Sequence, residues 1–412
     1  MKNTSEYYTM RNFYFFTLLL LSLTVTAQKK PAANPYVKID EKTLAIPEAS
    51  TKSTNELVAY IKTTFDTLDD CTRAAFIWVA STIEYDVENM FALNPYESKE
   101  VKIAKVLATH KGICEHYAVL LNDIFTKLEI QSYVIEGYVK QGEHIDFIPH
   151  AWCMASIGGD WYAFDPTWAA GYINNRKFYP QINNSYYKVK PSDIVKTHLP
   201  FDYLWQFVDY PVTCKEFEIG QIEQNPSKPY FNYTDTLKLY ESQAKAEQLQ
   251  SAIYRIEKNG IINTLTFNRL QLLKTEFENL RIETENKRQN AIVDILNSAS
   301  VDYNESVNLL NNYVNYWNKQ FTPMRPDAEI QSMLNEVMAK ISESKSKLRN
   351  IERPPSSLLN NMIELSKRLD EIESNLNEKQ AWLNQYFSKS KSARKKMFYS
   401  NTKITWFGIP LN

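Results

Sequence analysis

The chain has little glycine, little cysteine and almost no net charge. Only 9 of its 412 residues are glycine, which argues against a glycine-rich all-β fold and suits helices. Four cysteines in a chain of this length do not make the disulfide framework of a small stapled domain. A formal net charge of -1 leaves no strongly basic character, so the composition does not favour nucleic-acid binding.

The N-terminus carries the one long apolar run in the sequence. Residues 13–25 (FYFFTLLLLSLTV) come after Arg11, and the small residues Thr26 and Ala27 follow them. A basic start, a short apolar run and small residues are the layout of a secretory signal peptide, and the run is short for a membrane span. We therefore predict that residues 1–27 are a signal peptide and that the protein is exported, either periplasmic or secreted. An uncleaved N-terminal anchor is the alternative.

The remaining sequence divides into segments of different composition. Its length predicts two or three domains. Proline and lysine in residues 28–50 indicate an irregular linker, whereas residues 51–225 are rich in tryptophan, tyrosine, phenylalanine and valine. From residue 230 to residue 390, asparagine, glutamine, glutamate, lysine, leucine and isoleucine dominate. A basic tail follows at 391–412, which we interpret as a solvated end rather than an anionic-surface anchor.

Residues 51–225 combine two kinds of apolar pattern. Helical spacing predicts four helices, at residues 54–65, 72–84, 101–107 and 114–128. The spacing then changes to two, which predicts a strand at residues 132–139 and a hairpin whose strands are 151–157 and 161–164. The turn of that hairpin is Gly158-Gly159-Asp160. Helices followed by antiparallel strands indicate an α+β fold.

Residues 230–390 carry helical patterns only. Apolar residues at alternating steps of four and three run from 330 to 351 and from 358 to 386, with gaps at Ser344 and Lys379. This spacing predicts an antiparallel helical hairpin with a coiled-coil-like seam, turning at Pro354-Pro355. Earlier helices are predicted at 235–257 and 264–300, and residues 311–326 are too aromatic and proline-bearing for a simple continuation. We expect an intramolecular core, with an intermolecular coiled coil as the alternative.

The segment Gly112-Ile113-Cys114 has the features of a nucleophile site. Glycine lets the chain turn sharply, and Cys114 then opens a strongly patterned helix. A thiol at that position lies at the positive end of the helix dipole, which favours the nucleophilic thiolate. A cysteine nucleophile also requires a neighbouring base and a group that orients the base.

The candidate base and its orienting acid lie on the predicted hairpin. His150 begins the first strand and Asp165 follows the second, fifteen positions later. If the glycine pair is the turn, the two side chains lie near each other, and the carboxylate would fix the tautomer and direction of the imidazole. We therefore predict Cys114, His150 and Asp165 as a catalytic triad.

Other residues near these positions have competing interpretations. His116 is two positions from Cys114 on a helix and should point elsewhere, so we predict a structural or cleft-lining role. We interpret Trp152, Trp161 and Trp168 mainly as core packing. Trp168 is the first candidate among them to line the substrate cleft, and Trp152 is the second. Zinc binding by Cys114, His116, His150 and Cys153 is an alternative, but it would leave Asp165 unexplained. We predict no metal and no cofactor, and the sequence assigns no partner to His110, His144 or His198.

These motifs carry a family resemblance over residues 60–215. The sequence resembles the transglutaminase-like superfamily, and within it bacterial proteins similar to the kyphoscoliosis peptidase. The matching segments are Ala74–Asp86, Gly112–Ala118, His150–Trp152, Asp165–Tyr172, and His198–Asp202 followed by Trp205 and Gln206. The resemblance implies a papain-like fold and acyl transfer from an amide through a thioester.

The sequence departs from the family pattern in two respects. Cys153 stands where relatives commonly have asparagine, which places a second thiol near the site. No upstream tryptophan or glutamine is identifiable as a side-chain donor to an oxyanion. The backbone N–H of Cys114 would supply one donor, and the second is unassigned.

The sequence is consistent with two candidate functions. The first is an exported cysteine-nucleophile enzyme acting on peptide, protein or cell-wall amides, either as a peptidase or amidase or as a transglutaminase-type acyl transferase. The alternative is a catalytically silent scaffold or binding protein, whose helical half binds a protein partner or self-associates. The intact triad favours the enzyme, and the two departures favour the scaffold.

Overall fold

The computed structural model describes residues 34–92 and 94–399, which form two compact units. The N-terminal unit runs to Pro200 and includes Trp205–Phe207, and the C-terminal unit comprises Phe201–Leu204 and the chain from Val208 onward. The boundary therefore lies before the position predicted from composition, near residues 225–230. The predicted signal peptide and the end of the basic tail lie outside the described residues. Among the described helices, none has the length and apolar content needed to cross a membrane.

The N-terminal unit contains helices before and after a β-sheet. Its helices are α1 (Val37–Leu44), α2 (Thr54–Thr64), α3 (Leu68–Thr82), α4 (Lys99–Thr109), α5 (Cys114–Lys127), α6 (Pro166–Ala170) and α7 (Pro191–Ile194). Its strands are β1 (Glu84–Tyr85), β2 (Lys111–Gly112), β3 (Ser132–Gln141), β4 (His144–Ile145), β5 (His150–Ile157), β6 (Asp160–Phe164), β7 (Gly171–Asn174), β8 (Lys177–Pro180) and β9 (His198–Pro200). The predicted α+β class and the predicted elements of this half are confirmed.

The main sheet is antiparallel, in the order β4-β3-β5-β6, and β9 also pairs with β3. Gly137 on β3 lies opposite both His150 on β5 and Pro200 on β9. A Cβ at Gly137 would lie 2.1 Å from the carbonyl oxygen of Leu199, so only glycine allows β9 to approach this closely. The absence of a side chain at residue 137 thus brings the ends of β5 and β9 to the same part of the sheet.

Helix α5 is the centre of the hydrophobic core of this unit. It packs against α2, α3 and α4 and against strands β3 and β5. Its inward face is fully buried and comprises Tyr117, Ala118, Leu120, Leu121, Ile124 and Phe125. Because this face follows helical spacing, burial of these side chains fixes the rotation of α5 and therefore the position of its first residue, Cys114.

Part of the predicted linker is an ordered element of the fold. Residues 37–44 form α1, which packs on α3, so the linker prediction for residues 28–50 is wrong over this range. Arg73 of α3 is fully buried and forms two hydrogen bonds of 2.7 Å with the carboxylate of Asp40. Its guanidinium also lies over the rings of Tyr36 and Tyr187, at 4.5 and 4.8 Å from their centroids. Composition alone does not reveal that Asp40 is the counter-ion of a buried arginine elsewhere in the sequence.

The C-terminal unit is helical. Its helices are α8 (Cys214–Glu218), α9 (Tyr233–Ser242), α10 (Lys245–Asn259), α11 (Thr264–Asn318), α12 (Asp327–Arg349), α13 (Ser356–Phe387) and α14 (Lys391–Met397). Gln331 near the start of α12 bonds to Gln380 near the end of α13, and Lys345 of α12 pairs with Asp370 of α13. The predicted antiparallel hairpin is therefore present. The predicted helix at 235–257 is two helices, α9 and α10.

Two details of the helical pattern differ from the prediction. Helix α11 continues to Asn318, so the expected break after residue 300 is wrong, because the aromatic residues Tyr313 and Tyr316 face the core at helical spacing. The two gaps in the apolar seam also face inward. Ser344 is buried and donates to the carbonyl of Ala299, whereas Lys379 is buried and burial lowers the pKa of its ammonium group.

We predict that Asp40→Ala destabilises the N-terminal unit by about 3 kcal/mol, because it leaves the Arg73 charge buried without a counter-ion. The midpoint of urea unfolding measures this loss. The double variant Asp40→Leu/Arg73→Met removes both charges and should recover part of it. Lys62→Ala breaks an exposed pair with Glu129 and is the matched control, with little expected change. An Asp40→Ala midpoint equal to that of Lys62→Ala would show that α1 does not stabilise this unit.

Candidate active site

Cys114 is the first residue of α5 and lies at one wall of a cleft. The carbonyl of Ile113 accepts the N–H groups of His116 and Tyr117, and the first N–H groups of a helix have no partner within the helix itself. The Sγ of Cys114 lies 3.9 Å from the carbonyl oxygen of Pro149, the residue before His150, and Cys114 and His150 line the same cleft. A Cβ at Gly112 would lie 2.6 Å from the Cβ of His116, so glycine permits the tight turn into the helix.

The structure brings the predicted base and acid into direct contact with each other. His150 begins β5 and Asp165 follows β6, and the pairing of Cys153 with Phe164 aligns the two strands. Nε2 of His150 lies 2.7 Å from Oδ2 of Asp165. Because the carboxylate binds Nε2, Nδ1 is the ring nitrogen left for other contacts. The structure thus pairs His150 with Asp165 and places Cys114 at the same cleft as His150.

The Asp165 carboxylate also caps a helix. Its Oδ1 accepts the backbone N–H groups of Thr167 and Trp168, at 2.9 and 3.0 Å, and Pro166 is the first residue of α6. Aspartate is favoured at this position because its side chain satisfies N–H groups that have no partner within the helix. The Asp-Pro-Thr-Trp motif therefore fixes one oxygen of the carboxylate by backbone hydrogen bonds and directs the other oxygen toward the imidazole.

A second histidine, which the sequence left without a partner, binds the same carboxylate oxygen. Nε2 of His198, on β9, lies 3.0 Å from Oδ2 of Asp165, and its Nδ1 lies 2.8 Å from Oγ1 of Thr197. His198 is fully buried, with the ring of Trp168 at 4.6 Å and the ring of Trp152 at 5.1 Å between centroids. The one signal in the sequence was the extra matching segment at His198–Asp202.

The two histidines differ in their preferred charge. Burial alone would lower the pKa of His150, but the charge and hydrogen bond of Asp165 and the contact with Cys114 raise it to about 10. Burial lowers the pKa of His198, and the nearby His150 charge acts in the same direction. Burial opposes the charge of Asp165, yet its bonds to both histidines hold the pKa of Asp165 far below its usual range. The favoured state is a cationic His150, an ionised Asp165 and a neutral His198 that donates through Nε2.

The cleft beside the triad has a volume of about 600 Å³. Cys114, His150 and Trp168 line it, together with Tyr85 and Tyr186. Two exposed aromatic pairs include or adjoin in sequence residues that line the cleft. Phe91 and Phe147 stack at 6.1 Å and are 64% and 75% exposed, and Tyr172, a lining residue, stacks on Tyr179 at 5.5 Å on the β7–β8 hairpin.

Of the three candidate cleft residues, the structure places Trp168 at the cleft and the other two elsewhere. Nδ1 of His116 accepts the backbone N–H of Ile113 at 3.2 Å, so His116 caps the first turn of α5. Trp152 is buried beside His198. His116 therefore has the structural role that was one of its two predicted roles, and Trp152 packs in the core. Neither residue lines the cleft, since local packing that sequence spacing does not show sets the positions of their rings.

The second thiol suggested by the sequence is a core residue. Cys153 is fully buried, and its thiol donates to the carbonyl of Ala118 at 3.0 Å. Burial raises its pKa, which keeps it protonated and unreactive. All four cysteines lie in the described part of the chain and are free thiols.

The zinc alternative does not match the geometry. Within residues 34–92 and 94–399, the cluster of potential metal ligands is His150, Asp165 and His198, whose ligand atoms lie within 4.8 Å of one another. The proposed set of Cys114, His116, His150 and Cys153 is not brought together. Since Oδ2 of Asp165 already accepts from both imidazoles, hydrogen bonding accounts for this cluster.

The N-terminal unit contains the segment that is similar in sequence to known proteins. Residues 55–166 match the sequence profile of the transglutaminase-like superfamily. The chain is 30% identical over 155 residues to the kyphoscoliosis peptidase of Mus musculus and 28% identical over 155 residues to that of Homo sapiens. Each match covers 35% of this chain and 23% of the relative, so the chain spans about a quarter of the length of these relatives. Arylamine N-acetyltransferase C from Bacillus anthracis is 17% identical, with a TM-score of 0.24, over 36% of this chain and 53% of the solved chain.

We predict that His198→Leu moves the onset of Cys114 alkylation to higher pH and slows it roughly tenfold at pH 7, the equivalent of about 1.4 kcal/mol. Without the His198 donor, Asp165 holds the His150 imidazolium less firmly, so the thiolate forms less readily. Iodoacetamide labelling followed by mass spectrometry measures the profile. His198→Gln retains an N–H near the position of Nε2 and should recover part of the rate, and the exposed His144→Gln is the control. Equal profiles for His198→Leu and His144→Gln would exclude this positioning role.

Proposed function

We propose that this chain, whose residues 55–166 match the transglutaminase-like superfamily, is an exported cysteine-nucleophile enzyme that acts on amide bonds. The observation that carries the proposal is that the hydrogen-bonded pair of His150 and Asp165 lies at the same cleft as Cys114. A nucleophile, a base and an orienting acid in this arrangement are the parts that acyl transfer requires.

The first half of the proposed reaction forms a thioester. The Cys114 thiolate attacks the carbonyl carbon of the amide, and the carbonyl π electrons move to oxygen. When the C–N bond breaks, the electron pair of that bond goes to nitrogen and Nδ1 of His150 donates its proton to the leaving amine. Asp165 keeps the imidazole in position and stabilises its charge before the transfer.

The second half releases the acyl group. Neutral His150 removes a proton from water or from an acceptor amine, whose oxygen or nitrogen attacks the thioester carbon. Cleavage of the C–S bond returns the thiolate and leaves an acid or a new amide. Hydrolysis and crosslinking therefore use the same residues and differ only in the acceptor.

Peptide or protein amides are the proposed substrates, ahead of cell-wall amides. The name of the matched relatives, kyphoscoliosis peptidase, supports a peptide bond as the target. The exposed pairs Phe91–Phe147 and Tyr172–Tyr179 beside the cleft would contact apolar side chains on either side of the reacting amide. We further propose that the C-terminal helices bind a protein partner or self-associate, with no role for nucleic acid.

Two departures from the family pattern favoured the scaffold alternative, and one of them no longer supports it. The residue that departs from the family pattern, Cys153, packs in the core away from the thiol chemistry. Burial of a cationic His150 and an ionised Asp165 at a cleft costs folding free energy. A purely structural role does not account for that cost. Acylation of Cys114 distinguishes the enzyme from the scaffold, because only the enzyme forms a thioester there.

The test is acylation by p-nitrophenyl acetate, read by mass spectrometry. We expect a thioester on Cys114 alone, no thioester in Cys114→Ala, and acylation slowed roughly 100-fold in His150→Gln, because the general base is removed. Cys71→Ala removes another buried thiol and is the control. Release of the acyl group into water or onto an added primary amine then assigns hydrolysis or transfer. A wild-type protein whose Cys114 stays unmodified would refute the enzyme and leave the scaffold.

A further inference from the structure

We propose that Tyr85 is a further catalytic residue, whose hydroxyl donates the second hydrogen bond to the oxyanion formed on acylation of Cys114. The inference rests on the proposed function and supplies the donor that the sequence left unassigned. The backbone N–H of Cys114, at the free end of α5, supplies the first donor.

The backbone holds Tyr85 beside the segment that leads to the nucleophile. Strand β1 pairs in parallel with β2, and Tyr85 lies opposite Gly112, two residues before Cys114. The N–H of Glu84 donates to the carbonyl of His110 at 2.8 Å, and the N–H of Asp86 donates to the carbonyl of Gly112 at 2.9 Å. Tyr85 is therefore fixed on both sides by the strand that turns into α5.

The side chain of Tyr85 lines the cleft that contains the reacting groups. Cys114 and His150 line the same cleft, and Tyr85 is half-buried there. Its hydroxyl forms no hydrogen bond with any residue in 34–92 or 94–399, so it is available to a partner in the cleft. An oxygen that develops negative charge next to Cys114 would provide that partner.

The electrostatics of the site keep this hydroxyl protonated. Burial raises the pKa of Tyr85, and negative charge on Cys114, Asp146 and Asp165 raises it further. A neutral phenol beside forming negative charge remains a donor across the working pH range. During the reaction its proton stays on Tyr85, because the intermediate collapses by breaking the C–N bond and not by proton transfer to the oxyanion.

Thr167 is the rival donor. Its Oγ1 also lies at the cleft, is buried and has no partner among the described residues. However, the N–H of Thr167 binds Oδ1 of Asp165, which places the residue on the side of the imidazole. Tyr85 is instead held against the strand that precedes the thiol, opposite Gly112.

The test compares two reactions of the same thiol in Tyr85→Phe. Acylation by p-nitrophenyl acetate passes through an oxyanion, whereas alkylation by iodoacetamide displaces iodide and forms none. We expect the acylation rate to fall roughly 100-fold while the alkylation rate at the same pH stays unchanged. Phenylalanine keeps the ring and removes only the hydroxyl, so the fold should be preserved.

Two further variants complete the experiment. Tyr60→Phe removes a hydroxyl outside the cleft, is the control, and should leave both rates at the wild-type value. Thr167→Val tests the rival donor while keeping the backbone N–H that binds Asp165, and its loss of acylation should be much smaller than that of Tyr85→Phe. Acylation of Tyr85→Phe at the wild-type rate, a loss confined to Thr167→Val, or an equal loss of both reactions in Tyr85→Phe would each overturn the assignment. A wild-type protein that is alkylated but never acylated would instead refute the proposed function, and this inference with it.

Discussion

The Asp165 carboxylate is the constraint on which the rest of the site depends. Its Oδ1 accepts two backbone N–H groups at the start of α6, and its Oδ2 accepts from His150 and His198. Four donors around a buried carboxylate offset the cost of removing its charge from water. The charge of the same carboxylate raises the pKa of His150 against the effect of burial and holds its imidazole at the cleft that Cys114 lines, so a helix cap and two β-strands meet at one side chain.

The fold supplies this arrangement from distant parts of the sequence. The buried face of α5 sets where Cys114 projects, the β5–β6 hairpin sets the distance from His150 to Asp165, and Gly137 admits β9 so that His198 reaches the carboxylate. None of these contacts is local to the nucleophile. A change in the sheet or in the core can therefore alter thiol chemistry without touching Cys114.

Sequence patterns predicted the elements and the three residues of the proposed triad, because helical and strand periodicities and short motifs are local properties. They did not predict that His198 shares the carboxylate of Asp165, since that contact joins residues 33 positions apart through a third strand. The same limit explains Asp40, whose partner Arg73 lies on another helix, and Cys153, whose inertness follows from burial. Long-range contacts decide which polar residues act and which only stabilise.

The most direct test of the account is the pH dependence of Cys114 alkylation by iodoacetamide, measured by mass spectrometry in the wild type and in His150→Gln. A thiolate stabilised by a cationic His150 should react rapidly well below about pH 8.5, the range in which ordinary thiols ionise. The account predicts that this early reactivity is present in the wild type and lost in His150→Gln. A wild-type Cys114 that reacts only in the ordinary range, with the same profile in both proteins, would contradict it.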